Sequence, residues 1–223
     1  MREKKITTDF SIRTFKGGFD KNLSYILKCM RNNIEIIIDP AIKPDIIIPF
    51  LKTSPIAILV THTHMDHISY LDEYLSIYPE IKVVGHPKSK IISLKDNFIP
   101  VNDNSLINIG NLNIKIIHTP GHYFDSICYY LQNIIFTGDT LFVGRTGRTV
   151  DKKSDIEKLY DSVYNKILPL PPETIIYPGH DYGKKLSISI EGNIQISKLL
   201  RAKSKNDFYD RMSEYEKTRT IGQ

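Results

Sequence analysis

At 223 residues, with 41% hydrophobic and 25% charged side chains, the chain has the balance of an ordinary soluble globular protein, with room for one sizeable domain or at most two small ones. Thirty basic against 25 acidic residues leave a formal charge of +5, which suits anionic substrates but is too small and scattered to indicate nucleic-acid binding. Two cysteines, Cys29 and Cys128, lie far apart in no CxxC pattern, which argues against a disulfide framework and for reduced core thiols.

The first residues, MREKKITTDF, are charged and read as neither a secretory signal nor a membrane span. No membrane association is expected, and the expected compartment is the cytoplasm. Short apolar runs follow at 34–39 (IEIIID) and 55–60 (PIAILV), each closed by polar residues, as expected of buried strands. Residues 68–78 alternate at helical spacing and stop before Pro79. Further strands are expected at 81–85, 112–118, 126–131, 133–138 and 174–179, with a tight turn at 132–133. Two more helices are expected. One spans 155–168 with Ser154 as N-cap, and the other spans 206–219 with Phe208, Met212 and Tyr215 on one face.

No repeat or low-complexity linker divides the chain, so residues 1–223 are read as a single domain with a helical tail from about residue 186. Strands predominate and helices follow some of them. This pattern predicts an α/β (α+β) fold of two sheets with helices on the outer faces. The gaps between residues 100 and 138 are too short for the crossover helices of a doubly wound parallel sheet.

Residues 61–67 read THTHMDH, placing three of the seven histidines in seven positions. At the end of an extended strand, His62 and His64 project to the same side, and Asp66 and His67 occupy the turn that follows. Three other strands end in the same way. LNIKIIH runs through TPGH to His122, NIIFTG runs into Asp139, and TIIYPG runs into His180. Each has an apolar strand, a glycine that permits a sharp turn, and one metal-competent side chain. Five histidines and two aspartates are enough for two metal ions sharing a carboxylate. Imidazole and carboxylate suit zinc or iron, and the lack of thiolates argues against a structural zinc clamp. His86 and His118 are left outside this set.

In these motifs, HxHxDH, TPGH, GD and PGH, the sequence resembles the metallo-β-lactamase superfamily. The resemblance implies an αββα sandwich of two mixed sheets, with the site at one edge. It puts His62, His64 and His122 on one metal, Asp66, His67 and His180 on the other, and Asp139 between them. The stretch 136–149 and the YPGHDY at 177–182 are most similar to glyoxalase II, a hydroxyacylglutathione hydrolase, and to the persulfide dioxygenases.

The first resemblance implies a hydrolase with two divalent metal ions, zinc first and iron or manganese as alternatives, cleaving a thioester, with Asp66 as ligand and candidate proton acceptor. The second implies a single iron on His62, His122 and Asp139, acting on a thiol persulfide. Ile68, Ser69 and Tyr70 replace a glycine-containing segment common to the family, and Val150 stands where the dioxygenases have Asp. The stretch after His180 is too short for the full helical domain of glyoxalase II, which leaves the thiol carrier open. A chain of this length is also not expected to hold the extra inserted domain usual in nuclease relatives.

Arg145 and Arg148 follow Asp139 in a glycine-punctuated loop, and Arg148 is read as an anchor for a substrate carboxylate. Tyr182 is read as a neighbour of the substrate and Asp181 as an orienter of a ligand histidine. Lys184, Lys185, Arg201, Lys203 and Lys205 are read as a solvated basic face. The expected partner is a small thioester or thiol conjugate, not nucleic acid, and a homodimer is a further expectation.

Overall fold

The computed structural model describes residues 9–219; residues 1–8 and 220–223, which include most of the charged N-terminal stretch and the end of the expected tail, lie outside the described residues. The first sheet contains β1 (Phe10–Gly17), β2 (Asn22–Cys29), β3 (Glu35–Ile38), β4 (Ala57–Leu59), β5 (Lys82–Gly85) and β6 (Phe98–Pro100), in that order. Its first two pairings are antiparallel and the other three parallel. The second sheet begins with β7 (Leu106–Ile109), β8 (Leu112–His118), β9 (Ile127–Leu131) and β10 (Ile134–Gly138). A small ribbon of β11 (Leu141–Phe142) and β12 (Arg145–Thr146) follows, and the second sheet resumes with β13 (Ile175–Pro178) and β14 (Ile188–Ser189). Its order is β14-β13-β10-β9-β8-β7, with only β10 and β13 parallel.

The two-residue period of a strand decides which side chains meet. Ile36 and Ile38 point inward, joining Leu27, Leu59, Ile116, Tyr129 and Phe136 between the sheets. Ile37 between them points outward and packs with Ile58 and Val83 and with Leu71 and Tyr74 of the helix Leu71–Ile77. On the far face, Cys128, Ile135 and Ile176 pack with Leu159, Val163, Phe208 and Met212. Each fully buried aliphatic side chain contributes about 1.5–3 kcal/mol relative to exposure. The result is the expected αββα sandwich.

The helices are α1 (Pro44–Ile47), α2 (Leu71–Ile77), α3 (Ile156–Tyr160), α4 (Ile190–Ile196) and α5 (Lys205–Arg219). Three local expectations change. Helix α2 starts three residues late because Tyr70 N–H donates to the Pro40 carbonyl (3.0 Å), tying the preceding residues into a turn. Helix α3 is capped by Asp155, which accepts from Lys158 N at 3.1 Å, while the Ser154 hydroxyl is committed to the Asp151 carbonyl at 2.6 Å. Past Tyr160 this helix widens into π-helical turns over Asp161–Ile167. The 132–133 turn is present, with Leu131 paired to Ile134 and Gln132 at φ 52°. The hairpin of β1 and β2, absent from the sequence reading, interleaves Arg, Lys and Ser with its apolar residues and shows no apolar run longer than Tyr25–Leu27.

Candidate metal centre

The C-terminal ends of β4, β8, β10 and β13 meet at one edge of the sandwich and bring together all seven side chains singled out from the strand-end motifs. His62 Nε2 and His122 Nε2 each lie 3.0 Å from His64 Nδ1. His180 Nε2 lies 3.2 Å from both His67 Nε2 and Asp66 Oδ2. Asp139 stands between the groups, with Oδ1 3.2 Å from His67 Nε2 and Oδ2 3.3 Å and 3.5 Å from His180 and His122 Nε2. Ligands about 2.1 Å from a tetrahedral metal are separated by about 3.4 Å, so these spacings match donors converging on shared ions. Three groups have their donor atoms mutually within 4.8 Å: His62, His64 and His122; His62, His67 and Asp139; and Asp66, His67 and His180.

Two glycines permit this convergence. Gly138 has φ +46°, and a Cβ there would lie 2.5 Å from Thr61 Oγ1. Gly179 needs space rather than an unusual φ, since its Cβ would lie 2.4 Å from Asp139 Oδ1 and 2.6 Å from His67 Cε1. These contacts exclude any larger residue without displacement.

The imidazoles are held from behind. His67 Nδ1 donates to Asp39 Oδ2 at 2.8 Å, His180 Nδ1 to the Asp20 carbonyl at 2.7 Å and His122 Nδ1 to the Arg148 carbonyl at 2.9 Å. With Nδ1 as the donor, each turns its Nε2 to the centre, the nitrogen that offers a lone pair when the ring is neutral. The Asn22 amide donates to Asp66 Oδ2 at 2.9 Å. The sequence reading missed Asn22 and the carbonyls of Asp20 and Arg148; Asp39 closes the apolar run at 34–39, but its contact with His67 left no signal in the sequence.

Asp181 does not orient a ligand histidine. Its carboxylate pairs with Lys16 at 2.7 Å, and the Asp39 carboxylate and two main-chain carbonyls do the orienting instead.

Burial pushes the His62 pKa well below its ordinary value, and burial with His122 brings His64 to about 4. Burial also acts against protonation of His67 and His180, but Asp139 and the other nearby carboxylates reverse it, holding His67 well above its usual range and His180 at about 9. Burial would raise Asp139, yet His180 and His67 keep it well below the usual carboxylate range. Burial likewise opposes ionisation of Asp66, and its hydrogen bonds from His180 and Asn22 prevail. Asp139 Oδ1 is buried without a hydrogen-bond donor. Clustered imidazole nitrogens, buried carboxylates and one unsatisfied oxygen fit a cationic occupant, and the hard-to-intermediate N/O donor set fits divalent metal.

A cavity of about 380 Å³ opens onto these side chains and is also lined by Asp20, Phe142, Arg148, Val150, Asp151 and Tyr182. Tyr182 hydrogen-bonds the Asp20 carboxylate and stacks on His180, 4.9 Å between centroids at 4°. Arg145 lies over the Tyr182 ring at 3.9 Å and donates to Tyr215 at 2.7 Å. In the basic stretch, Lys205 pairs with Glu157 at 2.8 Å, while Lys184 and Lys185 are exposed. No helix among the described residues is long and apolar enough to cross a membrane.

A sandwich with paired His/Asp groups at the strand ends is a metallohydrolase-type architecture. Residues 17–180 match the Metallo-beta-lactamase superfamily, and the chain belongs to that superfamily. It is 32% identical over 197 residues to the probable hydroxyacylglutathione hydrolase glo2 of Schizosaccharomyces pombe, covering 82% of this chain and 74% of that one. It is 35% identical over 175 residues to the hydroxyacylglutathione hydrolase of Francisella tularensis subsp. novicida, covering 76% and 67%. ETHE1 from Myxococcus xanthus superposes with a TM-score of 0.81 at 28% identity, covering 91% of this chain and 90% of that one. A metallo-beta-lactamase from Staphylococcus aureus subsp. aureus COL, at 22% identity and TM-score 0.80 over 92% and 67%, shares the fold.

Proposed function

We propose that this chain is a metal-dependent thioester hydrolase of the hydroxyacylglutathione hydrolase type, acting on a small acyl-thiol conjugate. The observation that carries the reading is that both ligand groups are complete on either side of Asp139, in a chain whose relatives bear that name. In this reading His62, His64 and His122 would hold one divalent ion and Asp66, His67 and His180 a second, with Asp139 shared between the two groups. Zinc is the simplest occupant, with iron or manganese compatible with the same donors. Such a pair lowers the pKa of a water to about 7 and polarises the substrate carbonyl.

The protein's own groups do the rest. Asp39 and the carbonyls of Asp20 and Arg148 keep His67, His180 and His122 in the tautomer that aims Nε2 inward. Asp66, with a side chain 29% exposed and facing the cavity, can accept the proton of the attacking water. In the same reading Arg148, which lines the cavity, would grip a substrate carboxylate through its guanidinium, and Tyr182, which lines the cavity and stacks on His180, would contact the substrate. A thiolate leaves without strong acid assistance, so no further acid is required.

A second reading rests on His62, His122 and Asp139, which form a two-histidine, one-carboxylate face suited to a single iron and a persulfide dioxygenase. Metal analysis by plasma mass spectrometry on chelator-free protein, paired with a hydroxyacyl-glutathione hydrolysis assay, separates the two. About two metals per chain with thioester turnover is the expected result. One iron per chain with oxygen uptake on a thiol persulfide selects the second reading.

A further inference from the structure

The segment 120–124, which carries His122, also walls a second cavity of about 580 Å³, lined by Gly121, Phe124, His86, Lys88, His118 and Lys153 among others. That volume falls within the roughly 300–1,000 Å³ common for small-molecule sites. Its histidines are the two that the metal centre leaves over. The His118 backbone N–H donates to Asp103 Oδ1 at 2.8 Å, its carbonyl accepts from Lys166 Nζ at 2.6 Å, and its ring Nε2 donates to the Phe124 carbonyl at 3.1 Å. His86 stacks on this immobilised ring, with centroids 4.3 Å apart at 21°. Because His86 Nδ1 accepts the Lys88 backbone N–H at 3.2 Å, its neutral ring carries the proton on Nε2. That N–H has no acceptor among the described residues.

The charges around the cavity do not balance. Lys166 is paired with Asp103 at 2.9 Å and Lys158 with Asp155 at 3.1 Å, which uses both carboxylates. Lys88 and Lys153 have no carboxylate partner for their ammonium groups among the described residues. Lys153 instead lies over the Phe124 ring at 5.0 Å and the Tyr123 ring at 5.7 Å. Two uncompensated ammonium groups, from loops distant in sequence, therefore share a cavity with an unpaired imidazole N–H and an aromatic wall.

We propose that this cavity is a binding site for a phosphate monoester, separate from the metal centre. A phosphate monoester carries about −1.5 to −2 near neutral pH, matching two ammonium groups, and its oxygens accept several charge-assisted hydrogen bonds. Lys88, Lys153 and His86 Nε2 supply the donors, and the Phe124 ring receives the apolar part of the ligand. The site shares the 120–124 wall with the metal centre, where Tyr123 lies 4.1 Å from the His64 ring, but its binding does not depend on thioester turnover.

The test is an NMR titration of the metal-loaded protein with glycerol 2-phosphate, following the ring resonances of His86 and His118, assigned with His86→Gln and His118→Gln. Succinate, a dianion without phosphate, is titrated in parallel. Saturable shifts with glycerol 2-phosphate are expected, weaker by about tenfold or more in the Lys88→Ala/Lys153→Ala variant. Both lysines are exposed, so that variant keeps its fold and melting temperature. Absence of saturation in the native protein, unchanged affinity in the double variant, or equal affinity for succinate would each overturn the proposal. Failure of the hydrolase reading would leave the titration unaltered, so the two are separable.

Discussion

Asp39 Oδ2 lies 2.8 Å from His67 Nδ1, and the two side chains are 2% and 0% exposed, making this pair the buried floor of the metal centre. Asp39 stands just past β3 with φ 51°, a left-handed conformation that Asp tolerates better than most residues. Its carboxylate also accepts from Thr61 N and Thr61 Oγ1, both at 2.7 Å. One side chain thus joins the ends of β3 and β4 and sets the tautomer of an imidazole facing the centre.

Asp39→Asn keeps the size but leaves one acceptor oxygen for three donors. In the proposed two-metal reading, affinity for the ion held by His67 should fall about 10–100-fold, as for other residues that orient a ligand histidine. Leaving a buried donor unsatisfied should also cost about 1–3 kcal/mol of stability. Chelator competition and thermal melting measure the two effects. Metal affinity equal to that of the native protein would show that Asp39 only joins strands.

Gly179→Ala places a methyl 2.4 Å from Asp139 Oδ1 and 2.6 Å from His67 Cε1. Neither neighbour is a flexible chain end, so the Asp139 carboxylate and the His67 imidazole must move apart. Metal content per chain should drop while the fold persists, because the clash is confined to the strand end. Plasma mass spectrometry with far-UV circular dichroism reads both, and full metal occupancy would contradict the expectation.

Arg148→Ala separates a side-chain role from a main-chain one, since His122 is held by the Arg148 carbonyl and not by its guanidinium. Hydrogen bonds to a charged group are worth about 1.5–3 kcal/mol, so KM for a carboxylate-bearing thioester should rise about 10–150-fold with kcat little changed. A drop in kcat accompanied by metal loss would assign Arg148 to the support of His122 instead.

Asp103 anchors the His118 strand end through Lys166 and the His118 N–H. Burial acts to raise its pKa, but the Lys166 hydrogen bond and the His118 N–H outweigh it and hold the group below its ordinary 3.8. A carboxyl with a depressed folded pKa stabilises the fold above its unfolded value and loses that effect as pH falls through the folded one. At 34% exposure, solvent screening limits the contribution to about 1 kcal/mol or less. Asp103→Asn should lower the melting temperature at neutral pH, with the difference from the native protein shrinking as pH drops below 3.8. A constant difference across that range would rule out the ionic contribution.

The metal-competent residues were legible in the chain because each sits where an apolar strand ends in a turn, a pattern written in neighbouring residues. The sandwich was legible for the same reason: Ile36, Ile37 and Ile38 belong to a short β-branched run of the kind a strand buried on both faces carries. Asp181 shows the limit of adjacency. It follows His180 directly, yet its side chain turns away to Lys16, because successive residues of an extended segment face opposite ways.

Asn22 and Asp20 mark the other limit. They reach the centre only because the β1–β2 hairpin crosses to the last histidine, where Leu23 N–H meets the Gly179 carbonyl at 2.7 Å and Asn22 bridges His180. Residue types, strand ends and superfamily were thus determined by the sequence itself. Which nitrogen faces the centre, which carboxylate orients it and which lysines remain unpaired were decided only by the tertiary structure. The physical reason is range: strand and turn signals lie within a few residues, whereas those hydrogen bonds and ion pairs join positions as far apart as Asp20 and His180 and exist only once both sheets have packed.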